Sequence, residues 1–179
     1  MVSNRRDPRA ALVRTLCHAA QSGMVSYGSL RLPCAIGRGG RRALKREGDG
    51  ATPIGTWRFR QVFYRPDRLL PPGSAAPVRP LRPDMAWCDV SGDRNYNRLV
   101  RLPYPVLDER LWRDDHLYDV CVVLGYNDFP RTQGLGSAIF MHLAREGYGP
   151  TAGCIALSLP DILKLLGATP PPNAITIAD

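Results

Sequence analysis

The chain has 179 residues, a hydrophobic fraction of 44% and a formal charge of +8 at pH 7. That length suits one domain with its own core, and seventeen glycines with seventeen prolines argue for many turns and against a helical bundle. The charge points to an anionic partner without choosing among them; the arginines are spread along the chain, no stretch interleaves aromatic with basic residues as a single-strand binder would, and no nucleic-acid partner is expected.

Residues 1–22 are expected to form a short helix (Arg9 to Ala20) or a loose arm, ahead of a catalytic domain over residues 23–179. From Val25 the texture turns to β. Leu30 to Ile36 reads as a strand ending in the glycine-rich turn 37–40, and a basic loop follows from Arg41 to Gly50. Thr56 to Tyr64 alternates bulky and polar residues, as a half-buried strand should. Residues 65–86 form a proline-rich, irregular excursion of the kind that is usually functional or mobile. Asn97 to Leu102 and Leu117 to Tyr126 are further strands, the second nearly all apolar and therefore central. Ser137 to Leu143 and Cys154 to Leu157 follow. Pro160 opens a short helix that Gly167 closes, and Ala174 to Ile177 ends the chain as a strand. The expected fold class is mainly β, with a few short helices.

Five cysteines lie far apart, with no C-x-x-C pair and no metal-ligand spacing to His18, His116 or His142. No metal site and no cofactor is expected. Cys121 sits in an apolar run and reads as core, as do the strand cysteines Cys34 and Cys88. His116, beside Asp114 and Asp115, reads as a solvated loop histidine.

The chemistry concentrates between residues 138 and 157. His142 closes the apolar run Ala138-Ile139-Phe140-Met141, and twelve residues later Cys154 follows Gly153 and precedes another apolar run. A cysteine attacks carbonyls as the thiolate, and an adjacent imidazole can take its proton. Gly153 suits a turn where backbone must approach a reacting oxyanion, with the Gly153 and Cys154 amides as donors. The alternative from the residues alone is a structural cysteine and a core histidine.

This segment resembles the active-site signature of the L,D-transpeptidase (YkuD-type) family, in which a strand-borne histidine precedes a Ser/Thr-x-Gly-Cys run. The block Asp49-Gly50-Ala51-Thr52-Pro53-Ile54-Gly55-Thr56-Trp57 is similar to that family's G-x-T-P-x-G-x-F strand entry. The resemblance covers roughly Tyr27 to Ile177 and implies a single sandwich-like catalytic domain. It also implies Cys154 as nucleophile, His142 as base, and the Leu143 carbonyl as the group orienting that base. There are departures: the His–Cys gap is short, Ala152 replaces a frequent histidine, and Ala156 stands where an arginine or asparagine often follows. Arg145, three residues after His142, is the expected clamp for a substrate carboxylate, with Arg94 and Arg98 next in line. Tyr148 and Asn97 are the other expected substrate contacts, Asn97 from a polar run similar to one in short family members.

The implied function is a peptidoglycan L,D-transpeptidase making third-to-third or, given the divergent motif, first-to-third cross-links between stem peptides. The alternatives are an L,D-carboxypeptidase in peptidoglycan remodelling or recycling, and a non-catalytic cell-wall or nucleic-acid binding module. An activated Cys154 is expected to alkylate faster than the other four thiols. No run approaches the length of a membrane span. Arg14 interrupts the apolar stretch Ala10 to Val13, so no signal peptide is expected in the sequence as given. The substrate argues for the periplasm or cell envelope and the missing leader for the cytoplasm; both stand as expectations.

Overall fold

The computed structural model describes residues 7–15, 17, 20–105 and 109–179. In chain order the strands are β1 (Ala10–Arg14), β2 (Ser22–Tyr27), β3 (Leu30–Ala35), β4 (Arg41–Arg42), β5 (Thr52–Pro53), β6 (Gly55–Tyr64) and β7 (Val78–Pro80). They continue as β8 (Met85–Cys88), β9 (Arg98–Arg101), β10 (Glu109–Arg110), β11 (Val120–Leu124), β12 (Phe140–Leu143), β13 (Ile155–Leu157) and β14 (Ala174–Ile177). One α-helix, α1 (Leu159–Leu166), and a single 3-10 turn at Glu146–Tyr148 complete the described elements. The domain is mainly β, in keeping with a sandwich-like catalytic domain.

The main sheet runs β11-β12-β13-β3-β2-β1-β14-β6-β7, and β11 pairs back onto β6, so the sheet closes on itself. Its interior is an aliphatic core. Period-two alternation sends Val120, Val122 and Leu124 of β11, Met141 and Leu143 of β12, and Ile155 and Leu157 of β13 into it. Helix α1 adds Ile162, Leu165 and Leu166. Ser158 caps the helix by accepting the Asp161 N–H, and Pro160 sits in its first turn, where a missing N–H costs nothing.

The intervening residues of the same strands point outward. Phe63, Cys121, Val123 and Phe140 form a second cluster with Leu81, Leu111 and Tyr118, against which Trp87 and Cys154 pack. The antiparallel sheet β10-β8-β9 contributes Trp87 to this layer. Residue parity in β12 and β13 therefore decides which side chains serve the core and which reach the second layer.

The helix expected over Arg9 to Ala20 is not formed. Ala10–Arg14 is β1, parallel to β14 and antiparallel to β2. Ala11 and Val13 are fully buried in the main core, so period-two burial and two strand neighbours outweigh a local helix preference. Positions 1–6, 16, 18 and 19 of the expected arm lie outside the described residues. The excursion at 65–86 is more ordered than its prolines suggest: β7 extends the sheet edge in parallel with β6, and Leu81 is buried. No described helix is long and apolar enough to cross a membrane.

Candidate active site

Strands β12 and β13 lie parallel, with Met141 opposite Ile155 and His142 opposite Ala156. Cys154, immediately before β13, thus stands near Phe140, one turn of the pleat from His142 and on the same outward face. The Phe140 N–H donates to Cys154 Sγ at 3.4 Å, and Sγ donates to the Ala138 carbonyl at 3.2 Å. Both Cys154 and His142 line one cavity of about 440 Å³. No hydrogen bond joins them directly among the described residues.

His142 Nδ1 lies 2.8 Å from the Leu143 carbonyl oxygen. A carbonyl only accepts, so Nδ1 carries the proton and Nε2 is left as an acceptor. The ring is 7% exposed and packs edge-on against Tyr118, with centroids 5.3 Å apart. Burial pushes the imidazole down to about 4, against a smaller upward pull from the Leu143 carbonyl. Burial also pushes the Cys154 thiol up to about 12, and the Phe140 N–H offsets only part of this. At rest the pair is a neutral thiol beside a neutral imidazole. The fast alkylation expected of an activated Cys154 needs a thiolate, which burial disfavours here.

The turn before Cys154 is held by Thr151, whose hydroxyl donates to the Cys154 carbonyl at 2.6 Å and accepts the Gly153 N–H at 3.1 Å. Of the two amides expected to face an oxyanion, Gly153's is therefore engaged, while Cys154's has no described partner. Gly153 has φ +136°, and a Cβ there would lie 2.8 Å from the Ala51 carbonyl oxygen. Glycine is needed on both counts.

Ala51 belongs to the second sequence motif, and Asp49 shapes it. The Asp49 carboxylate accepts from Lys45 Nζ at 2.7 Å, the Arg46 N–H at 2.8 Å and the Ala51 N–H at 2.9 Å. Burial raises this carboxyl, but the three hydrogen bonds outweigh it and hold Asp49 below the usual carboxylate range. The paired Lys45 is 3% exposed and lines the same cavity as Cys154.

Arg145 is exposed on the cavity wall and makes no ion pair with a described residue. Arg38, which the sequence reading passed over, lines the cavity too, whereas Arg94 and Arg98 do not. Arg113 also reaches it but is already committed: it holds Asp115 through two contacts of 2.9 and 2.5 Å and Glu109 at 3.1 Å. Burial raises the Glu109 carboxyl, and Arg113 partly offsets the effect. Tyr148 lines a neighbouring, more open depression rather than the cavity of Cys154, sharing Arg145 with it.

Asn97, expected from the sequence as a substrate contact, is 4% exposed and lies behind the cavity and not on its wall. Its Oδ1 accepts from Trp87 Nε1 at 3.0 Å and the Ala138 N–H at 3.1 Å, and its Nδ2 donates to the Tyr126 and Asn127 carbonyls at 3.0 and 2.8 Å. All four hydrogen-bonding positions of the amide are used.

Comparison with curated proteins gives no match, and comparison with solved structures gives none. A family model described as YkuD, the L,D-transpeptidase catalytic domain, matches residues 23–177. Running from β2 to the end of β14, it spans both sequence motifs and the residues that line the cavity, and the chain belongs to the L,D-transpeptidase (YkuD) catalytic-domain family.

Proposed function

We propose that the chain is a peptidoglycan L,D-transpeptidase in which Cys154 is the nucleophile and His142 the general base. The family is one of peptidoglycan transpeptidase- or hydrolase-type enzymes, and one observation carries the narrower reading. A thiol and an imidazole with a free Nε2 acceptor share one cavity, held on adjacent strands by backbone hydrogen bonds.

In this mechanism Sγ attacks the carbonyl carbon of an L,D peptide bond in a stem peptide. The thiol proton passes to Nε2, and a tetrahedral oxyanion forms. Collapse expels the leaving amine, which takes the proton from the imidazolium, and leaves a thioester on Cys154. An amine of a second stem then attacks, gives its proton to Nε2, and releases the cross-linked product and the free thiol. The Cys154 amide is the oxyanion donor already free, and the buried Lys45 ammonium adds positive potential beside the Gly153 turn. The neutral resting pair means that proton transfer accompanies attack instead of preceding it.

Arg145 and Arg38 supply the unpaired positive charges that a stem-peptide carboxylate needs. Ala156 lines the cavity where a polar residue often stands, so that position gives no hydrogen bond to select between a donor at the first and one at the third stem position.

Incubation with defined disaccharide tetrapeptides and pentapeptides, followed by mass-spectrometric sequencing, tests the proposal. Cross-linked dimers are expected, and the residue carrying the new bond identifies the donor. Shortened monomers without dimers would make the chain an L,D-carboxypeptidase, and unaltered stems would overturn the proposal.

A further inference from the structure

We infer that Asn97 is a positioning residue for Cys154, holding the backbone carbonyl that accepts the thiol's hydrogen bond in the resting state. The inference builds on the proposed role of Cys154, and its geometry is a chain of direct contacts. Asn97 Oδ1 accepts the Ala138 N–H at 3.1 Å, and the Ala138 carbonyl accepts from Cys154 Sγ at 3.2 Å.

Ala138 has φ +50°, a left-handed conformation that an alanine seldom adopts unless its surroundings impose it. Asn97 is equipped to impose it. The residue is buried and itself left-handed at φ +55°, and its amide ties together β8 through Trp87, the turn after β11 through Tyr126 and Asn127, and the entry to β12 through Ala138. Its backbone is pinned as well, since its N–H donates to the Cys88 carbonyl at 2.7 Å and its carbonyl accepts from Arg131 Nε at 3.1 Å.

A carbonyl oxygen can accept from a thiol but has nothing to offer a thiolate. Holding it beside Sγ favours S–H over S⁻ and fixes where the sulfur sits relative to the Phe140 N–H. Attack requires the S–H to turn from the Ala138 carbonyl and pass its proton from Sγ to His142 Nε2, so the brace sets both the orientation of the nucleophile and the ease of that transfer. Asn97 touches neither the cavity nor the reacting atoms.

The signature is a split between two readouts. With the brace removed, the Ala138 carbonyl is free to turn away. Cys154 should then lose its thiol acceptor and react faster with a small electrophile at neutral pH, while acyl transfer slows because Sγ is no longer fixed. Asn97→Gly removes the side chain yet accepts φ +55° without strain. The rate of iodoacetamide labelling at Cys154 is followed by peptide mapping across pH. Lys45, Glu109, Tyr118, Cys121 and His142, which bear on the thiol's charge or its proton, are left in place.

A fivefold or greater rise in labelling at neutral pH, a lower midpoint and at least a tenfold fall in turnover are expected. Trp87→Phe keeps the ring edge against Phe140 but removes one donor from Oδ1, and should move labelling the same way by about two- to threefold. Labelling that is unchanged, or that only slows, in a cooperatively melting Asn97→Gly protein overturns the inference. If Asn97→Gly does not fold, Trp87→Phe decides by the same criterion. Labelling needs no stem peptide, so a wild-type protein without turnover would sink the proposed function alone.

Discussion

Ala51 and Gly153 come from opposite halves of the chain and meet at the turn that carries Cys154. The Ala51 carbonyl stands where a Cβ on residue 153 would approach to 2.8 Å. The two sequence motifs are thus one structural unit: Asp49 fixes Ala51, Ala51 fits only against a glycine, and the glycine delivers the thiol to the cavity.

Gly153→Ala should therefore be among the most damaging single changes. It combines a left-handed φ with a backbone clash, and strain of this kind costs about 1–3 kcal/mol. A lower Tm together with loss of turnover is expected; a variant with wild-type Tm and activity would show that the turn relaxes freely.

His142 makes stability depend on pH. Its folded value of about 4 lies below the ordinary 6.5, so as pH falls the unfolded chain binds this proton first. Its contribution is present above about pH 6.5, declines as pH falls, and is gone below about pH 4, amounting to about 3 kcal/mol. Denaturant melts between pH 7 and 4 should show this slope, and His142→Gln should flatten it. An equal slope in both proteins would mean that the imidazole is not buried neutral.

Cys121→Ala separates packing from chemistry. Cys121 is fully buried among Phe63, Tyr118 and Phe140, so truncation should cost about 1–2 kcal/mol through a small cavity. The kcat should stay within a few-fold of wild type, as read by steady-state turnover and chemical denaturation.

Arg145→Ala should lower kcat/KM by about ten- to a hundredfold, or about 1.5–3 kcal/mol, if the guanidinium clamps a substrate carboxylate. Arg145→Lys should restore only part, because a point charge lacks the planar fork. Full activity of Arg145→Ala on a tetrapeptide would move the anion site to Arg38 on the same cavity wall.

Much of this was legible in the sequence wherever periodicity reports directly on burial. The strands at Val120–Leu124 and Ala174–Ile177 and the helix closed by Gly167 follow from apolar runs and turn residues. The His–Gly–Cys spacing likewise led to residues that one cavity brings together. What failed was non-local. The apolar stretch Ala10–Val13 reads locally as part of a short helix or a loose arm because its partner β14 lies at the far end of the chain. Asn97 looked like a loop residue open to ligand because no local pattern announces four partners drawn from three distant segments. Lys45, Arg113, Glu109 and Arg38 gave no signal because the cavity gathers them through closure of the sheet and not through spacing.

The central claim is that Cys154 carries an acyl group during turnover, and trapping that intermediate tests it most directly. Wild-type protein, quenched in acid during reaction with a disaccharide tetrapeptide, should gain the mass of the acyl fragment. Peptide mapping should place the thioester on the segment containing Cys154, and Cys154→Ala should show neither adduct nor turnover while melting like the wild type. Turnover by Cys154→Ala, or an acyl adduct on any other residue, would contradict the account.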